Sequence, residues 1–443
     1  MLGRLQRGTG AGYLQALKSP RAAVRELLLA CITTDPRWDR QLDTRAEYYA
    51  SLAQEIGLDA APLAAHLQQQ AHVAEDWSVS LTIDTLREMG RRGDTASVAV
   101  LRDYLNWGAD WENALGRLID CGTPEALCGL DHVVCSRYPD DEDLTWQVAD
   151  EEPWLTWSRS HPRLAVALQR LRAHREERGA EWSRDFYGDR PLSALFDDAA
   201  RGNRAGDLRA LRSRVTPQDV STLVPYLRPE EPQLCKLALH GLGFIANEEA
   251  FAAWKRFVEE QPDLPRHVWG ALIRMTNTAS GTHARITGLA WFDHPDVRRQ
   301  RLGEFLLERN ATLADLELLR SALGVALESG DMYRLCSLAN GLAAIASPAA
   351  WKELSTSFQE ATYSFARSKL AKALIASSPG RFTEELASAS LWDCEDAVRE
   401  IACGLVNPVQ SGVREKLTAL AHDPHEEADI RNAAAHHLAT VNP

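Results

Sequence analysis

Three groups of residues in this chain have types and spacings that could do chemistry. Cys128, His132 and Cys135 stand at i, i+4 and i+7, which puts two thiols and an imidazole on one face of the helix expected after Pro124. A shared zinc ion fails on distance. Residues seven apart lie about 10 Å apart along a helix, whereas a thiolate binds zinc at about 2.3 Å. His436 and His437 are adjacent, so they point to different helix faces and form no chelate. No metal and no cofactor is expected. The eight cysteines read as reduced, buried thiols in a cytoplasmic protein.

The second group is basic. Arg163, Arg170, Arg172, Arg175 and Arg178 crowd one helix, and Arg201, Arg204, Arg209, Arg212 and Arg214 the next. Guanidinium clusters can hold phosphate through bidentate, charge-assisted bonds. Here Glu176, Glu177, Asp197, Asp198 and Asp207 interleave, and the stretch before them carries Asp140, Asp141, Glu142, Asp143, Asp150, Glu151 and Glu152. Internal neutralisation is the expected state. The third group, Trp146, Trp154 and Trp157, sits beside that acidic stretch. Exposed, these rings would anchor a basic partner, since tryptophan and arginine dominate interface hot spots. Buried, they would pin the connection onto the helices before it. Trp146, Trp154, Trp157, Arg163, Arg170, Arg172 and Arg175 are therefore the candidate partner-binding residues. Asp39, Asp43 and Glu47 form an acidic ladder that reads as the solvated side of an amphipathic helix from about Asp39 to Ile56.

The elements that must position these residues are helical throughout. Amphipathic stretches follow one another and alternating apolar-polar runs are missing. Turns such as Arg92-Gly93-Asp94, Gly108-Ala109-Asp110 and Cys121-Gly122-Thr123-Pro124 suit antiparallel helix pairs. Basic residues at 236, 266, 298, 334, 367, 399 and 431 recur at steps of 30, 32, 36, 33, 32 and 32, most with small apolar residues following. A fixed period of this length implies helix pairs that bury their apolar faces by stacking on neighbours. Three segments follow: irregular helical repeats over 1–138, an acidic then Arg-rich connection over 139–215, and a repeat array over 216–443. Within the connection, 179–191 reads as a loop or short helices, carrying Trp182, Phe186, Tyr187 and Gly188.

The best copies of the repeat run from Asp393 through Val398-Arg399 and from Asp423-Pro424 through Ile430-Arg431. Asp293 to Arg298 and Ser19 to Arg25 are weaker copies. In these residues the chain resembles the HEAT-like repeat proteins, clearly over about 230–443 and loosely over about 15–138. The resemblance implies an all-α fold, a right-handed α-solenoid of antiparallel helix pairs. It also implies that the repeat arginine ties to an acid of a neighbouring turn. Within that family the iron-dependent deoxyhypusine hydroxylases repeat histidine–glutamate dyads. Here only His425-Glu426 occurs, so the hydroxylase activity is not expected. A HEAT-like DNA glycosylase would need a basic concave surface, an aromatic wall and a catalytic acid. Arg298, Arg299, Arg301, Trp291 and Asp293 or Asp296 could be assembled that way, but they also fit an ordinary repeat.

Nucleophile-elbow, phosphate-loop and dinucleotide signatures are missing, and Gly241-Leu242-Gly243 lies inside a repeat helix. A net charge of −13 argues against nucleic acid, whose binders carry a basic footprint. No apolar run is long enough to span a membrane. The expected function is a non-catalytic scaffold or adaptor holding a protein partner, basic in character, on the concave face. Two alternatives remain: nucleic-acid binding or repair through the Arg-rich centre, and an inhibitor or immunity protein that occludes a basic toxin or enzyme.

Overall fold

The computed structural model describes residues 1–43, 45–70, 79–183, 191–201 and 207–441. Phe186, Tyr187, Gly188 and Arg204 fall outside them, and the side chains of Arg178, Trp182 and Arg209 outside those described. The described residues are all helix, turn and loop, without a strand. None of their helices is long and apolar enough to cross a membrane.

Local chemistry sets many of the helix ends. The side chains of Thr9, Asp94, Asn247 and Asp296 accept backbone N–H bonds at the starts of Gly10–Leu17, Thr95–Trp107, Glu248–Glu260 and Val297–Asn310. Each satisfies one of the donors that a first helical turn leaves without a partner. Gly122, at φ 69°, stops Trp111–Cys121 in the left-handed conformation that glycine adopts at low cost.

Two compact units result, and their boundaries do not follow the three consecutive segments expected above. The first comprises Met1–Arg172, Gly324–Met332 and Trp351–Pro443, so it joins the beginning of the chain to its end. The second comprises Ala173–Leu323 and Tyr333–Ala350. In the second unit, Pro232–Ile245 packs on Trp269–Thr278, which packs in turn on Val297–Asn310, and Thr282–Trp291 lies against that last helix. Trp254 is fully buried there, with Trp291 at 5.5 Å between ring centroids.

In the first unit, Ser80–Arg91 packs against Arg45–Ile56, Thr95–Trp107 and Trp111–Cys121. The end of the chain adds Ser364–Ser377, Asp396–Cys403, Val413–His422 and Ala428–Val441. Its seam with the beginning is made of backbone as much as side chain. Cys394 N donates to the Gly8 carbonyl at 2.9 Å, and Gly8 holds φ 68°. A Cβ on Gly10 would lie 1.8 Å from the Ala389 carbonyl oxygen, so only glycine lets Gly10–Leu17 approach Ser388–Ser390 this closely. Tyr49 and Tyr48 donate to the carbonyls of Leu5 and Thr9, each at 3.0 Å.

The helix expected from Asp39 begins only at Arg45. Asp39 instead accepts from Gln41 N in a turn, and Asp43 is buried in an ion pair with Arg45 at 3.0 Å. Arg45 is itself fully buried and donates to the carbonyls of Gln6, Pro36 and Thr362. The acidic ladder is therefore no solvated face. Two of its three carboxylates, those of Asp43 and Glu47, point into a packed interior that brings the two ends of the chain together.

Candidate functional site

Of the seven residues chosen from sequence, the structure leaves only some on the surface. Trp154 and Trp157 are each 7% exposed and stack edge to face at 5.2 Å inside the core, which removes them as surface anchors. Of the two roles open to these rings, this pair pins the connection onto the preceding helices. Trp146 is 51% exposed. Arg163 donates to the carbonyls of Cys135, Tyr138 and Pro139 and pairs with Asp141 at 3.0 Å, closing the end of Leu130–Arg137. Arg170 reaches Asp141 at 3.7 Å, and Arg172 reaches Asp150 at 2.5 Å. Arg175 is exposed. The acidic stretch thus pairs three of the four chosen arginines, with Asp141 shared between Arg163 and Arg170.

Cys128, His132 and Cys135 do not share one helix. The chain breaks after Pro124–Leu127, Gly129 takes φ 68°, and a new helix begins at Leu130. Cys128 is exposed, while Cys135 lies 3.5 Å from His161 Nδ1.

A different group of residues forms a polar site. It is a crevice of about 60 Å³ in the first unit, walled by Tyr13, Glu47, Ser51, Arg92, Trp392, Arg399, Lys416, Asp423 and Glu426 among others. Gly10–Leu17 contributes Tyr13, Arg45–Ile56 contributes Glu47 and Ser51, Ser80–Arg91 leads to Arg92, Trp392 stands just before Asp396–Cys403, and the last three helices and the turns between them carry Arg399, Lys416, Asp423 and Glu426. Arg399 is its centre. Its Nε and Nη2 donate to the two oxygens of Glu426 at 3.1 and 2.7 Å, and Nη2 also meets Asp396 at 2.9 Å and Glu47 at 3.6 Å. Nη1 donates to the carbonyls of Asp393 and Cys394. Arg92 bridges Glu47 and Asp423, both at 3.1 Å. Beside these, Arg367 is fully buried and pairs with Asp393 at 2.7 Å.

Oxygens of Glu47, Asp396 and Glu426 lie within 4.8 Å of one another, the one such group among the described residues. The donor set does not need a metal, because the Arg399 guanidinium already stands among all three carboxylates. Geometry of this kind fixes side chains firmly, since each buried charge has opposite charges and hydrogen bonds around it.

The electrostatics are strained at two points. Burial pushes the Glu47 carboxyl up to about 7, with Glu426 adding to the rise and Arg399 and Arg92 opposing it. Burial also pulls the Lys416 ammonium down to about 8, helped by Arg399 and opposed by Glu426. Asp423 sits below its usual range: burial would raise it, but the His425 N–H and Arg92 outweigh that. Groups shifted toward neutrality by burial and charge partners are the kind that functional clefts collect.

Sequence reasoning found Arg399 and the His425-Glu426 pair but missed that they belong together with Glu47, Arg92 and Lys416. Glu47 and Arg399 are hundreds of positions apart, and no local pattern pairs them. The usable signal was Arg399 itself, whose expected tie to an acid of a neighbouring turn is met by Glu426.

No protein-family model matches the chain, and neither the curated proteins nor the solved structures yield a match.

Proposed function

We propose that this protein is a non-catalytic scaffold or adaptor of the HEAT-like type, a right-handed α-solenoid in its repeats, cytoplasmic, and binding a protein partner on its concave face. One observation carries the reading. Arginines of the repeat series act as bridges between repeats: Arg298 to Asp263 at 3.3 Å, Arg334 to Glu304 at 2.7 Å, Arg367 to Asp393 at 2.7 Å and Arg399 to Glu426 at 2.7 Å. Four of the seven basic residues in the series thus reach partners some thirty residues away, the kind of tie by which stacked repeats gain stability they lack singly. These guanidiniums are taken up by carboxylates of the chain itself, and the charge left over is acidic on balance. Such a balance steers a basic partner.

The pairing of Arg163 and Arg170 with Asp141 and of Arg172 with Asp150 weighs against a phosphate backbone as the ligand. Trp146 remains a proposed partner contact on the first unit and Arg175, separately, on the second. Affinity purification of the tagged chain from its native cell, eluted in a salt gradient with and without nuclease, tests the reading. A stable protein partner that survives nuclease is expected. Recovery of nucleic acid alone, released at moderate salt, would overturn the scaffold and restore the polyanion alternative. A recovered toxin or enzyme whose activity is blocked in the complex would select the inhibitor form instead.

A further inference from the structure

Cys128, His132 and Cys135 cannot share an ion, but the fold brings a different third residue to two of them. His132 and Cys135 stand three positions apart on Leu130–Arg137, so they share a face with about 5–6 Å between Cβ atoms. His161, at the end of Trp154–Ser160, comes to that face from another element. Its Nδ1 lies 3.5 Å from Cys135 Sγ. Its ring meets that of His132 edge to face, with 5.4 Å between centroids. All three residues belong to the first unit.

These are the separations of ligands around one ion. Tetrahedral zinc, with sulfur at about 2.3 Å and nitrogen at about 2.0–2.1 Å, sets those two atoms about 3.5 Å apart. Two imidazoles on the same ion place their ring centres about 5 Å apart. The nitrogen of His132 is the one atom that must move, since the three ligand atoms do not yet all lie within 4.8 Å of one another. His132 is exposed, so its ring turns to another rotamer without disturbing the core. Cys135 is buried and His161 half-buried, which gives the ion an approach from the solvent side past His132. The surroundings favour positive charge. Cys135 lies in the last turn of its helix and His161 caps the end of another, so two negative helix ends point this way. Asp131 stands near Cys135, and the charge of Arg163 is already paired with Asp141.

We propose that Cys135, His161 and His132 bind one zinc ion, with water in the fourth position. The thiol gives its proton to solvent as the sulfur–zinc bond forms, and nothing is oxidised or reduced. The ion ties Leu130–Arg137 to the end of Trp154–Ser160, beside the Trp154–Trp157 pair that pins the connection. Binding at this corner stabilises the folded first unit, because the unfolded chain holds no preformed site. The site makes no use of a protein partner, so it stands or falls apart from the scaffold reading.

The test titrates the full-length, reduced and EDTA-treated protein with cobalt(II), then with zinc. One equivalent of cobalt is expected to give a thiolate-to-cobalt charge-transfer band and strong tetrahedral visible bands, both erased by zinc. Cys135→Ser should abolish the charge-transfer band, whereas Cys128→Ser should leave it intact. His161→Gln and the exposed His132→Gln should each weaken binding by about tenfold or more while circular dichroism stays native. Absence of the band in the unaltered protein would reduce the Cys135–His161 contact to a hydrogen bond and overturn the proposal. A band that persists in Cys135→Ser would place the ion on another cysteine, with the same consequence. Unchanged affinity in both histidine variants would show a thiolate binding cobalt alone, and the three-ligand site would be wrong.

Discussion

Arg399 illustrates how much one side chain can hold when the charges around it are buried. Replacing it with methionine keeps the volume of the stem but strands Glu426, Asp396 and Glu47 without the cation that faces all three. Removing one partner of a buried pair typically costs about 3–5 kcal/mol, because the remaining charge keeps its desolvation penalty. Arg399→Met is expected to fall in that range by urea denaturation of the first unit, whereas an unchanged midpoint would mean that the carboxylates simply take up protons or water. Glu47 gives a pH-dependent counterpart. Its folded value of about 7 exceeds its ordinary 4.5, so the folded state holds the proton more tightly than the unfolded state does. The stability this contributes is complete below about 4.5, declines as pH rises, and is gone above about 7. Lys416 acts with the opposite sign of shift: its value is depressed to about 8 from 10.5, so its contribution is present above about 10.5 and lost as pH falls through 8. Glu47→Gln should remove the decline between 4.5 and 7 and raise stability at pH 8 by about 1–3 kcal/mol. A denaturation series across pH 4.5–8 for both proteins measures this, and parallel curves would show that Glu47 is not the group responsible.

Gly10–Leu17 packs tightly on Ser388–Ser390, and two glycines separate contact from propensity. A methyl group on Gly10 would meet the Ala389 carbonyl oxygen at 1.8 Å, so Gly10→Ala must push the two segments apart. Overpacking of this kind costs about 1–3 kcal/mol. Gly116 sits inside Trp111–Cys121 with nothing within 4 Å of its would-be Cβ. Gly116→Ala should therefore stabilise by about 0.5–1 kcal/mol through helix propensity alone. Thermal unfolding of the two variants should move Tm in opposite directions; a fall in both would mean that Gly116 has a packing role. At this scale the amino-acid sequence is most readable. Helical class follows from the apolar period, and Gly241-Leu242-Gly243 lies within Pro232–Ile245 as expected. Reading failed where burial overrode local pattern. Asp39, Asp43 and Glu47 have the spacing of a solvated helix face, but Arg45, Arg92 and Arg399 draw Asp43 and Glu47 inward. Gly129 likewise breaks the helix that would have aligned Cys128 with Cys135. Neither effect is visible in a window of a dozen residues, because the deciding partner or backbone conformation lies outside the periodic signal.

For the whole chain, a period near thirty-two residues describes neighbours along the sequence and is silent about which distant segments meet. The pairing of Met1–Arg172 with Trp351–Pro443 in one compact unit is the least readable feature, since it rests on single contacts such as Cys394 N to Gly8 O, Arg45 to the Thr362 carbonyl and Arg92 to Asp423. Those contacts make the first unit cooperative across its sequence gap. Ending the chain after Ala350 would leave Arg45 with one carbonyl acceptor fewer, deprive Glu47 of Arg399, and uncover the core face against which Cys394 and Trp392 pack. Buried charges stripped of part of their partners and exposed apolar surface together cost more than the margin by which domains are stable. Hydrogen exchange should therefore show residues 1–172 of a 1–350 fragment losing protection, while Pro232–Asn310 in the second unit keeps its own, with Trp254 still packed on Trp291. Full protection of 1–172 in the fragment would mean that the beginning of the chain folds alone, and that the ionic crevice is a docking contact between two finished parts. Loss of protection in both units would mean that the folding unit is the entire chain.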